Sequence, residues 1–198
     1  MAIGEHDGLQ TYLAEEPGTR PLSEWIWGLS RWGKPVLVRA ALAIATACVD
    51  RWRRGAPWDE GWQRHFASVT LPEESLRALR AWLERGAPPG DAELESCTSA
   101  LRDLMGNAEF YDDEASTRGD AAEREQAAAS GRAILMALEA AVWTVERATE
   151  DIPDEAERQS IASSGPAPQV WEAVRAYRHA LPERTEATVR ELIRDGLR

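Results

Sequence analysis

The chain has 198 residues, the length of one globular domain, and its 43% hydrophobic and 29% charged content is too apolar for a wholly disordered protein. With 34 acids against 23 bases the formal charge is −11, which argues against a sequence-nonspecific grip on nucleic acid, whose phosphates would be repelled. Two cysteines and three histidines, all far apart, argue against a disulfide-framed secreted fold and a dedicated zinc module.

Almost every segment reads as helix, because Ala, Leu, Glu and Arg dominate and no alternating β-branched run reaches strand length. Residues 1–21, punctuated by Gly4, Gly8, Pro17, Gly18 and Pro21, are expected to be an extended or partly mobile lead-in, with the helical domain over 22–198. Ser23 suits the N-cap of a short helix through Trp25, Ile26, Leu29 and Trp32, stopped by Gly33. Pro35 suits the first turn of the next helix, which runs to about Arg54. Its wide apolar stripe, Leu37 to Trp52, makes it the expected centre of the core.

Trp58 to about Ser68 reads as a short aromatic helical region. Leu71-Pro72-Glu73-Glu74 opens a helix carrying Leu76, Leu79, Trp82 and Leu83, ended by Arg85-Gly86. Asp91 can cap the next helix, whose stripe is Leu94, Cys97, Thr98, Leu101, Leu104 and Met105, with Gly106-Asn107 as its expected stop and 109–120 as an acidic loop. A long helix from about Ala121 to Glu150, a short piece near 154–161 and two final helices through Val170–Tyr177 and Val189–Ile193 complete the chain. The expected fold is therefore all-α: a single irregular bundle of about seven or eight helices with short loops. No fixed repeat period points to a solenoid.

The first residues lack the basic start and apolar core of a signal peptide. The most apolar stretch, Pro35–Val49, carries Arg39 and is too short to span a bilayer, which needs about 20 apolar residues. A cytoplasmic protein with no membrane association is expected, with Cys48 and Cys97 as free thiols.

Charge is segregated along the chain. Residues 20–85 hold eleven bases and seven acids, whereas residues 86–165 hold six bases and eighteen acids. The run Glu109-Phe110-Tyr111-Asp112-Asp113-Glu114 is the best candidate edge for a basic protein partner. Phe110 and Tyr111 can anchor in a pocket while Asp112, Asp113 and Glu114 steer the encounter. The run lacks the ligand spacing and central glycine of a calcium loop.

Seven of the nine tryptophans fall in residues 25–82. Trp52, Trp82, Trp143 and Trp171 lie on or beside apolar stripes and read as core. Trp25 and Trp27 are two apart and cannot share a helix face, so one of them should reach the surface and serve recognition or self-association. Stacking of Arg51, Arg53 and Arg54 on Trp58 or Trp62 is a structural use of the same composition.

No phosphate loop, His-Glu-x-x-His, Gly-x-Ser-x-Gly or Cys-x-x-Cys is present, and His6, His65 and His179 have no chelating companion at helical spacing. Glu139 and Glu146 are seven apart without the Glu-x-x-His of a di-metal helical site. No catalytic residue, metal ligand or cofactor is assigned.

The stretch Lys34-Pro35-Val36-Leu37-Val38-Arg39-Ala40-Ala41-Leu42-Ala43 leads into a helix ending in Trp. With Pro72-Glu73-Glu74 opening Leu79-Arg80-Ala81-Trp82-Leu83-Glu84 and the later Ala127–Ala133 run, it resembles the small acidic all-helical immunity proteins of bacterial polymorphic toxin systems. The resemblance covers residues 30–150 and rests on pattern and composition; the Trp-rich start and the acidic stretch after Asn107 depart from it. It implies neutralisation of a cognate toxin, a basic protein domain, by occlusion and without chemistry. The alternatives are a structural or regulatory adaptor that self-associates through its Trp-rich N-terminal surface, and a helical metalloenzyme without a recognisable motif.

Overall fold

In the computed structural model, residues 3–55, 70–88, 90–115 and 168–198 are described, and every regular element among them is helical. The elements are α1 (Ile3–Leu13), α2 (Leu22–Gly28), a 3₁₀ turn (Leu29–Trp32), α3 (Lys34–Gly55), α4 (Leu71–Glu84), α5 (Ala92–Ala115), α6 (Pro168–Ala180) and α7 (Glu186–Leu197). The chain is all-α, as its composition requires. The expected helices over 121–150 and 154–161, and the aromatic region 58–68, lie outside the described residues, as do Trp143, Glu139 and Glu146.

The centre is α3, which packs against α4, α6, α7 and the 3₁₀ turn. Val36, Leu37, Val38, Ala40, Ala41, Leu42, Ile44, Ala45, Cys48, Val49 and Trp52 are all buried, so most of the helix circumference is covered. Its alanines allow the neighbours to approach closely. A Cβ added at Gly196 of α7 would lie 2.6 Å from the Cβ of Ala43, so glycine is what lets α7 cross α3 at that point. The inner face of α6, Ala173, Val174, Ala176, Tyr177 and Ala180, repeats this small-residue packing around one aromatic ring.

Local chemistry sets the ends. Pro72 occupies the first turn of α4, and Glu73 and Glu74 complement the positive end of its dipole. Gly86 adopts φ +87° after the last turn, where the Gly86 amide donates to the carbonyl of Leu83 and the Ala87 amide to that of Trp82. The Trp82 indole N–H donates to the Pro88 carbonyl, 2.8 Å, pinning the turn. Asp91 then caps α5 as its position predicts, its Oδ1 accepting from the amides of Glu93 and Leu94 at 3.2 Å. Arg85 pairs with Asp91 at 2.8 Å and holds its carboxyl below the usual carboxylate range.

Residues 3–13 correct the expectation of an extended lead-in over 1–21. They form a helix because Leu9, Tyr12 and Leu13 recur at i, i+3 and i+4 and are all buried against the body. The short second helix starts at Leu22, with Pro21 at the N-cap rather than Ser23. The helix after Asp91 does not stop at Gly106-Asn107 and runs through Ala115, so the first seven residues of the expected 109–120 loop are helical. Good helix formers around it outweigh a single Gly-Asn pair.

Candidate functional site

The acidic run lies at the C-terminal end of α5. The buried stripe of this helix, Leu94, Thr98, Leu101 and Leu104, faces α4 and its Leu76, Leu79 and Leu83. Leu104 is the last buried residue of the stripe among those whose side chains are described, with Met105 half-buried and Gly106 exposed. The helix continues for nine residues beyond Gly106, a further ~14 Å of rod at 1.5 Å per residue. Glu109, Phe110, Tyr111, Asp112, Asp113 and Glu114 are thus carried on helical backbone, where Asp113 and Glu114 stand three and four positions after Phe110. No base lies in the last turn. Asp112, Asp113 and Glu114 therefore belong to the last turn at the negative end of a helix dipole, a sequence pattern that favours a positively charged neighbour.

The tryptophan pair divides as its spacing requires, but the surface role falls to one member only. Trp25 is completely buried and is a core residue, so it cannot present itself to a partner. Trp27 is half-buried and packs on the edge of the core, leaving part of its ring accessible. In the described packing α2 lies on the 3₁₀ turn and α6, whereas α5 lies on α4.

Trp25 is instead the floor of a junction that the sequence reading missed. The Tyr12 ring stacks on Trp25 with centroids 6.1 Å apart and planes within 8°, and tilts against Trp32 at 5.0 Å. Its hydroxyl donates to the Trp25 carbonyl at 2.7 Å, and burial pushes the phenol pKa up. Arg20 and Arg31 lie over the Tyr12 ring at 5.2 and 5.6 Å, and Arg190 lies over the Trp25 ring at 4.8 Å. Arg190, on α7, is fully buried and donates to the Arg20 carbonyl at 2.7 Å and to Glu186 Oε1 at 3.1 Å. Arg194 donates to the carbonyls of Leu13 and Glu15. Two signals could have found the junction: the Leu9, Tyr12, Leu13 spacing, and Arg190 standing within the stripe Glu186, Val189, Ile193. The cation–π pairing expected of Arg51, Arg53 and Arg54 with Trp58 or Trp62 lies outside the described residues and side chains.

Cys48 is buried and its thiol is pushed up to about 12 by desolvation; Cys97 is half-buried and raised for the same reason. Both are free thiols. A cavity of about 390 Å³ opens on the outer side of α6 beside Trp171, Arg175, Arg178 and Pro182. These described lining residues supply cationic and aromatic surface but no nucleophile or general base. Among the described residues no cluster of three or more His, Cys, Asp or Glu is placed to hold a metal ion, and no helix is long and apolar enough to cross a membrane. Comparison with known proteins returns nothing: no family model matches the chain, and no curated protein or solved structure is significantly similar to it.

Proposed function

We propose that this chain is a binding protein that occludes a basic protein partner, in the manner of the immunity proteins its sequence resembles, acts in the bacterial cytoplasm and performs no chemistry. The observation that carries the reading is the end of α5. Asp112, Asp113 and Glu114 fall in the last turn, at the negative end of the helix dipole and with no base in that turn, and Glu109 precedes them. Binding a cationic surface there relieves like-charge repulsion within the helix while it neutralises the partner. Phe110 and Tyr111 supply the apolar contact that charge alone cannot, and Trp27 is a second anchor on α2. The eighteen acids of residues 86–165 accelerate the encounter by field rather than by contact.

The test is co-purification of the tagged chain with the product of the neighbouring gene, followed by association kinetics of the purified pair. The paired substitution Asp112→Lys and Asp113→Lys is expected to slow association by tenfold or more at low salt, an order-of-magnitude figure for reversing two steering charges. Its melting temperature should stay near that of the parent. Unchanged kinetics would refute the assignment of this helix end, and turnover of a small molecule by the isolated chain would refute the class.

A further inference from the structure

We infer that residues 3–21 are a releasable strap, and that the socket beneath it takes the same segment of a second copy of this chain. The socket is shaped for a tyrosine. Gly28 lies so close to the Tyr12 hydroxyl that a Cβ there would stand 1.9 Å from its oxygen and 2.5 Å from the ring carbon bearing it. Trp25 supplies a stacking face and a carbonyl acceptor, and Trp32 supplies a side wall. Around the socket, guanidiniums of α7 reach the backbone of the strap: Arg194 binds the carbonyls of Leu13 and Glu15, and Arg190 that of Arg20. The Leu13 carbonyl at the end of α1 would otherwise go without an intrahelical partner, so the cations complete that helix end.

The closed arrangement is incompletely satisfied. Glu15 Oε2, Arg20 Nε, Trp25 Nε1 and Arg190 Nη1 have no hydrogen-bond partner within the protein, and all four belong to this one junction. Opening frees the strap's own Glu15 and Arg20 to be solvated, which offsets part of what the buried Leu9, Tyr12 and Leu13 contribute to closure. The hinge permits it: residues 14–21 include Pro17 and Gly18, the latter at φ +90°, and eight extended residues span at most about 27 Å. The occupant best fitted to a vacated socket is the strap of another copy. It alone carries the tyrosine, the Leu9 and Leu13 contacts and the helix-end carbonyls in the right order.

Two measurements on the full-length chain test this. Hydrogen exchange on the parent protein should show the amides of α1 opening at least about tenfold more readily than those of α3. A labelled synthetic peptide of residues 3–21 should bind the full-length Tyr12→Ala chain, whose own plug is missing. The same peptide carrying Tyr12→Ala should bind at least about tenfold more weakly, and neither should bind Gly28→Ala, in which the added methyl fills the socket. Gly28 has helical dihedrals, so alanine is tolerated there by the backbone. Exchange of α1 as slow as that of α3, equal binding of the two peptides, or no binding to the Tyr12→Ala chain would each overturn the inference.

Discussion

The helix α3 and the strap junction are both buried, yet they are built on opposite principles. Around α3 the contacts are apolar and small, with alanines spacing the helices and Trp52 and Ile44 filling the gaps. At the junction the contacts are aromatic rings, guanidiniums and backbone carbonyls, and four polar atoms have no partner within the protein. The first region derives its stability from area removed from water. The second depends on a network whose members must all be present and some of which are still unsatisfied. The difference separates a permanent scaffold from a part of the molecule suited to opening.

Trp52→Ala should cost ~3–5 kcal/mol in chemical denaturation, because the ring is fully buried and α3 is held on several sides and cannot collapse into the cavity. At the polar pole, Arg190→Ala should cost about 3 kcal/mol, since it removes the bond to Arg20 and the stacking on Trp25 together. Arg190→Met should cost markedly less, because its stem refills the space that alanine leaves; an equal loss for the two would show that the guanidinium, not the volume, dominates. Gly196→Ala should cost ~1–3 kcal/mol by forcing α7 off Ala43, and a neutral result would mean that the α3–α7 crossing is more pliable than its packing implies.

Smaller effects sharpen the picture at the surface. Asp91→Ala should lower the melting temperature by about 3 °C through loss of the α5 cap. The Asp91 carboxyl is held below its ordinary value by Arg85, so its stabilising effect is complete above about pH 4 and is lost as pH falls through the lowered value. The gap between parent and variant should therefore close in acid. Cys97 should react with a thiol reagent well before Cys48, whose thiol is buried and raised to about 12.

Much of the scaffold was legible in the sequence because its signals are periodic and local. The stripe of α3, the Pro72 start of α4, the Gly86 stop and the Asp91 cap each follow from residues within one or two turns. The two misread segments share a cause. Glycines near the N-terminus and the Gly106-Asn107 pair are locally breakers, but neighbouring helix formers, joined at α1 by the burial of Leu9, Tyr12 and Leu13, outweigh about 1 kcal/mol of glycine cost. The junction was illegible for a different reason: Arg190 and Arg20 are 170 positions apart, and no local pattern reports that a cation will be buried on an indole. The split of Trp25 from Trp27 was readable from spacing, but which of them would be buried was set by α1 and α7.

The central claim is that the acidic end of α5 draws in a basic partner. It is tested most directly by measuring the association rate of the purified complex from low to high salt, with the parent chain and with the Asp112→Lys, Asp113→Lys pair. The account predicts a rate for the parent that falls steeply with salt and a variant that starts slow and changes little. Identical salt profiles for the two chains would contradict it.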